Sequence, residues 1–89
     1  MPQSIVVTEP PRNYRREILR EVAANRGVQP QEILSRDKTR RVVKVRDEVI
    51  WRWRSELGYS YPKIARHIGM RDHTSALHAV RRHEAANRP

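Results

Sequence analysis

Only three residues, Met70, Arg71 and Asp72, separate two helical patterns in the second half of the chain, and this spacing limits the fold more than any other feature. Upstream, "SYPKIARHIG" has Ser60 to cap a helix and Pro62 in the first turn, where a missing N–H costs nothing. Ile64, Ala65 and Ile68 then share one face, and Gly69 can supply a left-handed stop. Downstream, Ala76, Leu77 and Val80 form the apolar side of a last helix. So short a turn forces the two helices to cross in contact, and small Ala65 lets them come close. The pattern predicts a helix-turn-helix.

The rest of the chain reads as helical too. Asn13 can cap a first helix in "YRREILREVAANRG", with Ile18, Leu19, Val22 and Ala23 on one face and Gly27 closing it. "VQPQEILS" reads as a single turn led by Pro30, with Ile33 and Leu34 plugging the core. "SRDKTRR" has no apolar periodicity and is a loop or the frayed start of the next helix. From Val42 a stripe runs through Val45, Val49, Ile50, Trp53 and Leu57 to a stop at Gly58. Trp53 falls in that stripe, whereas Trp51 turns away and belongs at the rim or in solvent. Residues 1–12, with Pro2, Pro10 and Pro11 and a short β-prone piece at 5–8, read as a flexible arm. The expected organisation is a folded domain over 13–86, all-α with about five helices, and a disordered tail at 87–89.

At 89 residues the chain has room for one domain with a modest core, and an enzyme with its own deep pocket is not expected at that size. Lys+Arg total 19 against 10 Asp+Glu, a net charge of +9, which suits a polyphosphate partner. The lysines are Lys38, Lys44 and Lys63 and the remaining cations are arginines, whose planar fork matches phosphate oxygens and guanine edges. No apolar run approaches a bilayer span and none has the form of a signal peptide, so a cytoplasmic, nucleoid-associated protein is expected. With no cysteine, disulfides and cysteine-based zinc sites are excluded.

In a helix-turn-helix the second helix meets base edges with its opening residues, which must be polar and geometrically definite. "RDHTS" fits that need: Asp72 can accept from a cytosine amino group, His73 can bond a purine edge, and Thr74 can touch a thymine methyl. Arg71, Arg81 and Arg82 can reach phosphates. "RDHTSALHAVRR", together with "SRDKTRRVVKVRDE" upstream at the matching spacing, resembles the C-terminal DNA-binding domain of the bacterial replication initiator DnaA over roughly residues 13–84.

The resemblance implies a Trp repressor-like helical domain that binds duplex DnaA boxes, with the helix-turn-helix in the major groove and the basic loop in the adjacent minor groove. By position, Arg40 matches the minor-groove arginine, Arg46 a phosphate-contacting arginine, Asp72, His73 and Thr74 the base readers, and Ser75 a thymine-contacting threonine. Lys38, Arg41, Tyr61, Pro62, Lys63, Arg71, His78 and Arg81 complete the implied DNA-contacting set. The chain departs from the family pattern at Met70 (glycine), Val45 (proline), Asp47 (glutamine), Ser75 (threonine) and Ala76 (valine). Asp47 would place negative charge near the DNA backbone, and Ser75 lacks a methyl, so box preference is expected to be weakened or changed. Nothing resembles the family's phosphate-cradling ATPase loop, so the chain is expected not to be an enzyme and to need no cofactor. The leading "MPQSIVV" favours a stand-alone box binder over an excised fragment, a monomer acting as a regulator of initiation or transcription.

Plainer readings stand beside these. Asp72 can be simply an N-cap, His73 a packed histidine near the buried stripe, and Thr74 and Ser75 ordinary first-turn residues. The basic loop can be a solvated charge run, and Arg46, which falls within an apolar stripe, either emerges at the helix start or points at a partner. His73, His78 and His83 turn about 140° from one to the next and cannot converge on one metal ion. A second functional class is a basic module that binds an acidic partner, the initiator DnaA itself or its regulators, using the same basic face and Trp51.

Overall fold

The computed structural model describes residues 14–88; the leading arm over 1–12, the Asn13 cap and Pro89 lie outside the described residues. Five helices follow in order: α1 Tyr14–Arg26, α2 Pro30–Ile33, α3 Arg40–Leu57, α4 Tyr61–Ile68 and α5 His73–Ala86. The described residues contain no strand, and the fold is the all-α helix-turn-helix domain that the sequence predicts. The long α3 packs against each of the other four.

The core follows the apolar stripes. Ile18, Val22 and Ala23 of α1 meet Val42, Val49, Ile50 and Trp53 of α3, and Ile64 and Ile68 of α4 close over Ala76, Ala79 and Val80 of α5. Trp53 is the largest buried side chain, and its indole Nε1 donates to the Arg15 carbonyl at 3.1 Å, so a polar atom inside the core is satisfied.

The helix stops share one device. Gly69 has φ +86°, and the next N–H, that of Met70, reaches back to the Ala65 carbonyl at 2.8 Å; the Val28 N–H does the same to Ala23 at 3.0 Å. The residue after each glycine then folds its side chain onto the core: Val28 is buried and Met70 packs against the cluster. This explains why Met70 is tolerated where the family pattern has glycine. Positive φ is confined to glycines among the described residues, so Met70 is unstrained.

Two local expectations are corrected. Leu34 is 43% exposed instead of plugging the core, because on a one-turn helix neighbouring residues diverge by about 100° and Ile33 takes the inward position. On α5 the buried residues are Ala76, Ala79 and Val80, with Leu77 only half-buried; the i, i+3, i+4 set with its two alanines is the face that lets α5 lie close to α3. Helix α3 begins at Arg40, two residues before its apolar stripe, so the last two residues of "SRDKTRR" are the start of the helix and the rest is loop.

Candidate nucleic-acid interface

The opening of α5 is built by a cap. Asp72 lies in extended backbone, its Oδ1 accepts from the Thr74 N–H at 2.9 Å, and its carbonyl accepts from the Ser75 N–H at 3.0 Å. The bond from the Thr74 N–H holds the Asp72 carboxyl below the usual carboxylate range. The side chain nevertheless stays 63% exposed, so capping and an outward-facing charge coexist. His73 is 62% exposed, which removes the alternative of a packed histidine. Thr74 is half-buried, and Ser75, His78 and Arg81 stand exposed at successive i, i+3 positions, continuing from Asp72 as one ridge along α5. Arg71 is exposed in the turn just before it.

The head of α4 is also built by a cap. Ser60 Oγ accepts from the Lys63 N–H at 3.3 Å, fixing Tyr61, Pro62 and Lys63 in the first turn. Two cation–π contacts orient their side chains: Lys63 Nζ lies 4.1 Å from the Tyr59 ring centre, and the Arg54 guanidinium lies 4.4 Å from that of Tyr61. Neither Tyr59 nor Arg54 is marked by periodicity, since both contacts depend on how the α3–α4 corner folds.

The basic loop is held in place and is not a loose charge run. Ser35 Oγ accepts from the Asp37 N–H at 3.1 Å, and Asp37 Oδ1 accepts from the Thr39 N–H at 2.8 Å and from the Thr39 hydroxyl. These bonds hold the Asp37 carboxyl below its ordinary range. Lys38 and Arg40 are exposed and have no acidic partner among the described residues. Arg41 is partly engaged inside the molecule, donating to the Gly27 carbonyl at 3.2 Å with Glu32 3.8 Å away. Arg40, Arg41 and Lys44, the last one turn beyond Arg40, line an open cleft of about 730 Å³ that Arg82 and His83 of α5 close on the other side.

Arg46 and Asp47 depart from what the resemblance implies. Arg46 is buried, its Nε donating to the Ile33 carbonyl at 2.7 Å and its Nη2 to those of Glu32 and Ser35 at 3.2 and 3.0 Å. It therefore caps the end of α2 and anchors the root of the basic loop, and the structure does not bring it together with the outward-facing cations. Burial lowers its pKa. Asp47, expected near the DNA backbone as a repulsive charge, is instead buried and accepts from Arg82 Nε and Nη2, both at 3.0 Å. The bidentate pair joins α3 to α5 and raises the pKa of Arg82, whose guanidinium is thus engaged although the side chain is 54% exposed. Trp51 is half-buried with its ring centre 4.9 Å from that of His83.

Among the described residues there is no group of three or more His, Asp or Glu placed to hold a metal ion, and no helix is long and apolar enough to cross a membrane.

Comparison with known proteins gives one family. Residues 16–82 match the family described as bacterial dnaA protein helix-turn-helix. The chain is 42% identical over 76 residues to a chromosomal replication initiator protein DnaA of Brucella abortus biovar 1 (strain 9-941), a match covering 85% of this chain and 15% of that protein. The protein of the same name from Rhizobium meliloti (strain 1021) is 41% identical over 76 residues, 85% of this chain and 16% of its own length. That of Bartonella quintana (strain Toulouse) is 44% identical over 68 residues, 76% of this chain and 14% of its own length. The matched stretch is thus a small part of each relative. No solved structure matches the chain.

Proposed function

The chain belongs to the bacterial DnaA helix-turn-helix family, and from that premise we propose that it binds duplex DNA at DnaA-box-like sites and acts in the control of replication initiation or of transcription. The observation that carries this reading is the exposure of the first turn of α5: Asp72, His73 and Ser75 stand free of the core at the position where a helix-turn-helix presents its readers. In the major groove, Asp72 accepts from a cytosine amino group, His73 bonds a purine edge, and Thr74 and Ser75 meet a thymine. Arg71, His78 and Arg81 along the ridge, and Tyr61, Pro62 and Lys63 at the head of α4, lie against the phosphate backbone. Lys38, Arg40 and Arg41 enter the adjacent minor groove. Arg46 acts as a positioning residue that holds the loop they stand on.

On this reading the protein is a cytoplasmic, nucleoid-associated binding module and not an enzyme, and the ATP-dependent work of a full-length initiator lies outside it. A reading in which the same face binds a protein through Trp51 has less support, because that ring is already packed at a tilt against His83.

Fluorescence anisotropy with a duplex carrying one consensus DnaA box, against a scrambled duplex of the same composition near physiological salt, tests the proposal. A preference of at least about a hundredfold for the box is expected. Equal, salt-sensitive binding to both duplexes would overturn box reading while leaving general DNA affinity.

A further inference from the structure

A second cluster of arginines lies where α5 contributes no residue. Arg15, Arg16 and Arg20 of α1 rim an open groove of about 360 Å³ whose apolar lining includes Leu19, Pro30 and Leu34. Two features of it are unaccounted for by the fold or by DNA reading. Leu34 is the one exposed large apolar side chain among the described residues. And while Arg26, Arg41, Arg52 and Arg82 each have an acidic neighbour, Arg15, Arg16 and Arg20 have none among the described residues. At the α4 end of the groove, His67 has its pKa lowered by burial and by the positive charges of Arg15, Lys63 and Arg66, so the field there is cationic.

We propose that this groove docks an acidic peptide segment carrying an apolar anchor, with aspartate or glutamate carboxylates paired to Arg15, Arg16 and Arg20 and a leucine-sized side chain seated on Leu34 and Pro30. Charge complementarity sets the sign of the partner, and the apolar floor sets its class. A DNA backbone offers phosphates but nothing apolar to cover Leu34 and Pro30. A lipid surface is broad and flat, whereas this apolar area is small and concave. A peptide with an anchor between carboxylates satisfies both features. The site is separate from the first turn of α5, so the partner and the duplex are held together by one domain.

The test uses the full chain and a fluorescein-labelled peptide in which leucines are flanked by glutamates, titrated with the free protein and with the protein saturated by box duplex. Binding in both states is expected. Leu34→Ser and Arg16→Glu should each weaken it by at least about tenfold, and both variants should keep their affinity for box DNA, which also reports that they fold. The proposal is overturned by absence of binding, by displacement of the peptide with duplex, or by equal binding of a leucine-free polyglutamate peptide. It is equally overturned if Leu34→Ser and Arg16→Glu lose duplex affinity, which would make the groove an extension of the DNA surface. Binding of anionic phosphatidylglycerol vesicles that both variants abolish, with the peptide unbound, would assign it to a lipid surface instead.

Discussion

At the start of α5, Asp72, His73 and Ser75 stand in solvent with a single side-chain cap among them, whereas on α3 Arg46 and Asp47 are buried with their charged groups bonded to Ile33, Glu32, Ser35 and Arg82. Both regions are short polar runs that interrupt an otherwise apolar helical pattern. The difference lies in what surrounds each run. At the α5 turn the preceding helix ends one short turn away and nothing packs over the side chains, so they are available to a partner. On α3, the C-terminal carbonyls of α2 and the guanidinium of Arg82 converge on the run, so its polar groups hold elements together. Polar residues in a basic protein thus divide by engagement, and substitutions at the two places should fail in different ways.

The largest effect should come from Arg46. Arg46→Ala leaves the Ile33 and Ser35 carbonyls without their donor, weakens the bonding of the Glu32 carbonyl and removes the anchor of the basic loop, and should cost about 3 kcal/mol of folding free energy in urea denaturation. Arg46→Lys should recover only part, since one ammonium cannot span all three acceptors. An Arg46→Ala protein as stable as the parent, with weaker affinity for every duplex, would place Arg46 on the phosphates instead and erase the contrast.

Arg82→Ala should follow at about 2 kcal/mol, less than for a wholly buried pair because the arginine is half-exposed, and chiefly because Asp47 is left buried and unpaired. Arg82→Ala combined with Asp47→Asn should be more stable than Arg82→Ala alone, since the orphaned charge is gone. Additive losses in that cycle would mean the two side chains are not coupled.

In the outward-facing group the readout moves from stability to binding. Arg40→Ala should weaken box binding by about 1–2 kcal/mol and relax preference at the minor-groove end, with little change in Tm. Equal loss on box and scrambled duplexes would reduce Arg40 to a phosphate contact.

The smallest effects concern protons. The His67 pKa is lowered by burial and then by Arg15, Lys63 and Arg66, so its neutral form is favoured in the folded state. Its contribution to stability is therefore complete above the ordinary histidine value of 6.5 and is lost as pH falls through the lowered folded value. Thermal melts from neutral to mildly acid pH should show Tm declining, and His67→Gln should flatten that slope. Asp72, held low by its cap, contributes stability above its ordinary value of 3.8 that disappears as pH falls through the depressed one, so Asp72→Ala should lower Tm slightly at neutral pH.

What the sequence makes legible is what local rules control. Ser60, Gly69 and Asp72 mark the boundaries of α4 and α5, and the stripe through Val49, Ile50 and Trp53 marks the face of α3 that enters the core. Choices between neighbours escape it. Ile33 and Leu34 are equivalent to a periodicity argument, and only the crossing of α2 over α3 puts one inside. The Asp47–Arg82 pair joins residues 35 apart, beyond any local spacing rule, and so Asp47 reads as a repulsive charge until its partner is located. Arg46 gives a partial signal, a charge within an apolar stripe, but the stripe does not reveal whether the partner is phosphate or protein.

On the proposed function, the exposed turn of α5, and not the buried pair on α3, reads DNA. The deciding variant is His73→Ala, with affinity for a consensus-box duplex and a scrambled duplex measured alongside thermal stability. The expected result is a loss of about ten- to a hundredfold on the box, little change on the scrambled duplex, and an unchanged Tm. Equal losses on both duplexes, or a fall in Tm that accounts for the lost binding, would contradict it.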